Sequence, residues 1–358
     1  MATICLNMIV RDEAAVIERC LASVRPYIDS WVIVDTGSLD DTPARIVSTM
    51  AGVPGELHHR AWRNFGHNRS EALALARDKA DYLLFIDADE TLAANPRAIL
   101  PKLTEPAYSL EARFGELRYD RVSLIATHLP WRWEGVLHEY LEAGRIVPQP
   151  RLADFWIEVW PEGARSKDPQ KFQKDAATLE AALLQEPHNA RYVFYLAQSY
   201  RDAGQYALAR TAYERRAAMG GWDEEVWYAR YQLARLSELF EVNKAQVVAG
   251  YSKAYSFRPS RAEPLVALAR YLRLQNDCPL AYIFAQAAVQ LPLSVDRLFV
   301  EVPAYGWSAR DELALAAFYT GRHEEAKQLW VTLLQSQDLP QIERSRVEKN
   351  LGYVPLPV

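Results

Sequence analysis

Tyr82-Leu83-Leu84-Phe85-Ile86-Asp87-Ala88-Asp89-Glu90 decides the reading of this chain. The apolar run is strand-sized and far short of the roughly 20 residues a membrane helix needs. It stops at three carboxylates, which marks the end of a strand. Ligands of a parallel α/β sheet bind beyond the carboxyl ends of its strands. An Asp-x-Asp there has two uses. It places one carboxylate on a ribose hydroxyl and the other on a hard divalent cation that holds nucleotide phosphates, or it is a solvated corner that caps the next helix.

Working outward, the sequence up to about residue 110 alternates short apolar runs with helical stretches, the mark of βα units around a largely parallel sheet. Ala2 to Val10 and Trp31 to Val34 read as strands. Ala14, Val16, Ile17, Leu21 and Val24 keep helical spacing ahead of Pro26, and Asp40-Asp41-Thr42-Pro43 supplies cap residues and a first-turn Pro for a second helix. A third helix runs through Ala72, Leu73, Leu75 and Ala76. Three polar stretches therefore fall at strand ends: Asn7 to Glu13, Asp35 to Thr42, and Asp87 to Asp89. Between residues 111 and 160 shorter strand-like pieces, Val122 to Thr127 and Phe155 to Val159, flank a loop rich in Trp, Trp131 to Tyr140.

Beyond Asp168-Pro169, an N-cap followed by a first-turn Pro, every periodic segment reads as helix. Leu196-Ala197, Tyr200, Gly204, Ala209 and Tyr213 fit the pattern of helical-hairpin repeats of about 34 residues, and Ala314, Gly321, Glu325-Ala326 and Trp330 fit it again. Partial matches lie between them at Tyr231, Val247, Tyr251 and Ala254 and at Leu268-Ala269, Leu272, Ala281, Ala285 and Ala288. The expected organisation is an α/β domain over 1–165 and an all-α tetratricopeptide-like (TPR-like) repeat domain over 166–358.

Composition narrows the classes. At 358 residues the chain exceeds one ordinary core, and 50% hydrophobic against 24% charged residues gives it apolar surface to bury. A net charge of -5 without a basic stripe excludes nucleic acid as the expected partner. No secretory signal is legible at Met1 to Val10, so the expected compartment is the cytoplasm. Cys5, Cys20 and Cys278 are odd in number and lack metal-site spacing, so neither a disulfide framework nor a zinc site is expected. Ten Trp and 19 Tyr are a heavy aromatic load, suited to packed repeats and to sugar or peptide surfaces alike.

The ordered triple Asp35-Thr36-Gly37-Ser38-Leu39-Asp40-Asp41-Thr42, Asn68-Arg69 and Phe85-Ile86-Asp87-Ala88-Asp89 resembles the family 2 inverting glycosyltransferases of GT-A fold. Met8-Ile9-Val10-Arg11-Asp12-Glu13 is similar to the Met-Ile-Val-Lys-Asn-Glu segment of that family, and the resemblance covers about residues 2–145. It implies that Asp35 lies against the nucleobase of a nucleotide-sugar donor, Arg69 near base and diphosphate, Asp87 on the ribose side and Asp89 on Mn²⁺ or Mg²⁺, with Asp87 as a further metal contact. Asn7, Arg11 and Glu13 join the expected donor-binding set. Thr36 departs from the common Asp-Asp-Gly-Ser form, which weakens the inference of uridine.

The usual Glu-Asp pair for the catalytic base is absent at its expected distance. Trp133-Glu134-Gly135-x-x-His138-Glu139 resembles instead the Trp-x-Gly-x-x-His-Glu of members that carry a helical-repeat extension, a group that includes enzymes glycosylating a cysteine of bacteriocin peptides. Glu139 is then the expected base and His138 a diphosphate or metal contact, with the two roles exchangeable. Trp131, Trp133 and Trp62 are the candidates to stack a sugar ring. The implied activity is transfer of a hexose or N-acetylhexosamine from a UDP-glucose or UDP-GlcNAc type donor to a peptide or protein. Rival readings are a glycan or lipid-linked acceptor with the repeats serving homodimerisation, and an inactive repeat scaffold.

Overall fold

A computed structural model describes residues 2–354 except Arg97, Ile99, Pro101, Glu241 and Val242. The chain divides into two compact units, Met1–Gln205 and Tyr206–Val358.

The first unit begins with β1 (Ile4–Val10), α1 (Ile17–Val24), β2 (Ser30–Asp35), α2 (Thr42–Thr49), β3 (Gly55–His59), α3 (Phe65–Ala76) and β4 (Tyr82–Phe85). These strands pair in parallel in the order β3-β2-β1-β4, with Val10 opposite Asp35 and Asn7 opposite Phe85. The register brings the carboxyl ends of β1, β2 and β4 to one edge. β1 is buried on both faces, as parallel strands between helices are: Ile4, Leu6, Met8 and Val10 join one apolar cluster and Cys5 the other.

The sheet continues through β5 (Glu90–Ala94), β6 (Ala107–Phe114), β7 (Leu117–Ala126) and β10 (Arg151–Val159), while β8 (Arg132–Glu134) and β9 (Tyr140–Glu142) form a separate ribbon. β7 pairs antiparallel with β4 and β6, so the sheet is mixed beyond the parallel half. β3, β5 and β6 escape the sequence reading. Glu90-Thr91-Leu92-Ala93-Ala94 is built from residues that favour helices, and antiparallel pairing with β10 overrides that preference.

The strands of the first unit end near the expected limit at 165, but that compact unit runs on to Gln205. The reason is α4 (Lys171–Gln185) and α5 (Ala190–Asp202), a helical hairpin bonded to the ribbon. Tyr192 Oη accepts the Val136 amide at 3.2 Å, and Arg191 Nε donates to the His138 carbonyl at 2.9 Å. The helix starts two residues later than Asp168-Pro169 suggests. Asp168 accepts the Gln170 amide at 2.9 Å, and its carbonyl accepts that of Lys171 at 3.0 Å.

In the second unit α6 (Tyr206–Met219), α7 (Asp223–Leu239), α8 (Lys244–Phe257), α9 (Glu263–Leu274), α10 (Cys278–Ala288), α11 (Trp307–Tyr319), α12 (His323–Gln335) and α13 (Gln341–Gly352) pack each against the next. Ala254, Ala281, Ala314 and Ala326 are fully buried, so the helices approach closely, while Tyr213, Tyr251 and Trp330 are buried as the large residues between them. Much of the aromatic load is packing. No described helix is long and apolar enough to cross a membrane.

A fragment of residues 1–205 is expected to unfold in urea in a single transition seen alike by circular dichroism and fluorescence. A fragment of residues 1–165, stripped of the hairpin, should unfold at clearly lower urea. Equal midpoints would show that α4 and α5 are dispensable to the first unit.

Candidate functional site

At the carboxyl edge of the parallel strands, the loops after β1 and β2 are knitted by their own polar groups. The Asp12 amide donates to Ser38 Oγ at 2.9 Å, Asp12 Oδ1 accepts the Leu39 amide at 2.7 Å, and Asp40 accepts the amides of Ala14 and Thr42, both at 3.0 Å. Asp40, rather than Asp41, therefore caps α2.

Asp87 leaves the end of β4 into a network of charge. Arg69, in the second turn of α3, donates to Asp87 Oδ1 through one terminal nitrogen and to Glu139 Oε1 through Nε at 2.5 Å, and its side chain is only 11% exposed. Burial works against the guanidinium charge, but Asp87 and Glu139 outweigh it and hold Arg69 firmly protonated. Arg121 on β7 makes a fork to Glu90, at 2.9 and 2.5 Å, and reaches Asp87 Oδ2 at 3.4 Å. Glu90 accepts the Asp87 amide at 2.9 Å, fixing the backbone of the Asp-x-Asp corner. Burial raises the Asp87 pKa, yet Arg69 and Arg121 together hold it well below the usual carboxylate range.

Asp89 and Glu13 face differently. Gly163 donates its amide to Asp89 Oδ2 at 3.3 Å, and the next amide, that of Ala164, lies 3.2 Å from Glu13 Oε2. A Cβ at Gly163 would stand 2.9 Å from Asp89 Oδ2 and 3.2 Å from Glu13 Oε2, so the two carboxylates converge on this residue and leave no room for a side chain. Burial, offset in part by the Ala164 amide and reinforced by Asp89 and Asp87, pushes Glu13 up to about 7. Burial and the neighbouring Asp87 raise Asp89 as well.

His138 does not join these carboxylates. Its backbone is left-handed at φ 52°, its ring stacks on Tyr195 of α5 at 3.8 Å and 7°, and its charged neighbours are Arg191, Arg165 and Lys171. Desolvation by the surrounding protein and these cations push its pKa far down. The expected metal set of Asp87, Asp89 and His138 is therefore corrected. Among the described residues no group of three His, Cys, Asp or Glu side chains is placed to hold a metal ion, because Asp87 is taken by arginines and His138 sits among cations. Asp89 with Glu13 still fits a cation that draws the rest of its shell from phosphate and water, as Mg²⁺ commonly does.

Several other sequence candidates are spent on the fold. Asn7, 1% exposed, donates to the carbonyls of Val32 at 3.2 Å and Ala72 at 2.9 Å, fastening α3 to the sheet below the rim. Asp35, 3% exposed, uses its carboxylate on the Gly37 and Ser38 amides and the Ser38 hydroxyl, with exposed His59 3.2 Å away. Arg11 is half exposed, 3.6 Å from Asp12. Trp131 is 3% exposed core, its indole donating to Ala126 at 2.9 Å. Trp133 meets Phe85 edge-on at 5.1 Å with Arg69 5.1 Å from its ring centre. Trp62, 39% exposed, remains open and meets Phe65 edge-on at 4.8 Å. Arg121, Gly163 and Arg165 carry no sequence signal of their own; only tertiary pairing brings them here. Gly66 in the first turn of α3 permits the closest approach, since a Cβ would stand 2.3 Å from the Gly135 carbonyl oxygen.

Parts of the chain are similar to known proteins. Residues 5–112 match the family model of glycosyl transferase family 2. A TPR repeat-containing protein of Synechococcus elongatus is 35% identical over 170 residues, 45% of this chain and 41% of that protein. The SPbeta prophage-derived glycosyltransferase SunS of Bacillus subtilis is 22% identical over 208 residues, 54% of this chain and 48% of SunS. Each match thus spans less than half of the relative. Among solved structures, the MamA protein (TM-score 0.37, 15% identity, 52% of this chain and 88% of that chain) and YrrB, a TPR protein with an unusual peptide-binding site (TM-score 0.37, 13% identity, 50% and 84%), are similar.

Arg69→Met should destabilise the first unit by about 3 kcal/mol, because it leaves the carboxylates of Asp87 and Glu139 without their shared cation. Urea denaturation measures this; a loss below about 1 kcal/mol would show that the pair is solvated rather than held.

Proposed function

We propose that the chain is a metal-assisted inverting glycosyltransferase that moves a hexose or N-acetylhexosamine from a UDP-sugar to a peptide or protein. The observation that carries this reading is the junction at Arg69, which sets Asp87, at the end of a strand that binds nucleotides in such sheets, beside Glu139, the only sequence-expected base that is also held in the same network. The match of residues 5–112 to the glycosyl transferase family supports it.

Each group then has a task. Asp87, held ionised by Arg69 and Arg121, takes the ribose side of the donor. Asp89, with Glu13 beside it, holds the divalent cation. When bound, that cation supplies Lewis-acid neutralisation of charge growing on the departing diphosphate. Glu139 accepts the proton of the acceptor hydroxyl or thiol as its oxygen or sulfur attacks the anomeric carbon; the bond from that carbon to the β-phosphate oxygen breaks, and its electron pair leaves with the nucleoside diphosphate. His138 serves poorly as that base, because neighbouring cations disfavour the imidazolium it would become. Helical-hairpin arrays present surfaces suited to extended peptides, which favours a peptide acceptor.

Asp89→Asn should lower donor hydrolysis on the order of 10²-fold and abolish its response to added Mn²⁺, with the urea midpoint nearly unchanged. Unchanged, chelator-resistant turnover would sink the metal assignment. Glu139→Gln is expected to lower kcat of transfer by about 10²–10⁴-fold while donor affinity holds; a kcat within threefold of the parent would remove Glu139 from the base role.

A further inference from the structure

We infer that the diphosphate of the donor is gripped by cations supplied from the first helical hairpin, Lys171 foremost with Arg165 beside it; this rests on the donor reading above. The parallel edge of the sheet offers Glu13, Asp87 and Asp89, three carboxylates, to a ligand that is itself strongly anionic. Its own cations are already committed: Arg69 is bound to Asp87 and Glu139, and Arg121 to Glu90 and Asp87. A diphosphate seated against Asp89 needs positive charge from elsewhere.

The chain delivers it along a short path. Gly163 and Ala164 place their amides on Asp89 and Glu13. One residue on, Arg165 lies with its guanidinium 4.8 Å from the Phe65 ring centre at the start of α3, braced by Asp175 of α4. Lys171, the first residue of α4, is half-buried and makes no ion pair within 4.0 Å among the described residues; its charge is drawn toward Asp175 and Asp89 and repelled by Arg165. A partly buried ammonium without a counter-ion is costly unless an anion arrives. Arg165 and Lys171 also flank His138, whose ring α5 fixes through Tyr195 and whose carbonyl it holds through Arg191. As the bond to the anomeric carbon breaks, the β-phosphate gains a negative charge, so cations set here bind the transition state more strongly than the ground state. The hairpin is on this account a working part of the donor site, not only the first turn of an acceptor platform.

The test is calorimetric titration of the full chain with UDP, GDP, TDP and ADP in Mn²⁺, then with the parent nucleoside of the tightest. Lys171→Met should weaken the diphosphate at least tenfold and the nucleoside less than twofold. Lys171→Arg should recover most of the loss, and Lys174→Met, at an exposed lysine paired with Asp168, should change neither. Unchanged diphosphate affinity in Lys171→Met, with the parent protein binding normally, overturns this inference alone. Equal loss of nucleoside and diphosphate also overturns it, since the lysine would then act through the fold. A parent protein that binds none of the four diphosphates overturns the donor reading and this inference with it.

Discussion

A guanidinium almost cut off from water stays charged and is costly to bury unless carboxylates surround it, and Arg69 meets that condition by joining two remote parts of the chain. Asp87 comes from the end of β4 and Glu139 from the ribbon loop, and both accept hydrogen bonds from this one side chain. The approach of α3 to that loop, close enough that Gly66 can carry no side chain, follows from the same junction. So does the packing of Trp133, edge-on to Phe85 and with Arg69 against its ring.

Around this junction charge is sorted. Asp87 is surrounded by arginines and stays ionised, while Asp89 and Glu13, partly desolvated, close to Asp87 and hydrogen-bonded to backbone amides, have raised pKa values. One carboxylate of the Asp-x-Asp pair is thus built to accept hydrogen bonds, and the other is left short of positive charge, the condition in which a divalent cation binds best. Arg165 and Lys171 stand just before and at the start of the first helical hairpin, which Tyr192 and Arg191 fasten to the ribbon loop.

The sequence reveals the parallel half of the sheet because strand ends and helix caps are local events, and it singles out Asp87, Asp89, Arg69 and Glu139 as candidates because their order along the chain is distinctive. Other readings fail for physical reasons. Asn7 and Trp131 carry the right chemistry for a ligand, but the fold spends their donors on backbone carbonyls. Glu90 and Arg121 are 31 residues apart and become partners only when β7 lies antiparallel to β4. β5 is spelled in helix-forming residues. The hairpin's attachment rests on Tyr192, Arg191 and Tyr195, each of which reads as an ordinary repeat residue until the ribbon is placed against it.

The most direct measurement is mass spectrometry of a peptide library incubated with the full chain, Mn²⁺ and a panel of UDP-sugars, with Asp89→Asn in parallel. The account predicts peptides that gain the mass of one hexose or one N-acetylhexosamine, with UDP released in step, and neither product from the variant. No sugar on any peptide and no nucleotide released from any donor by the parent protein would contradict it.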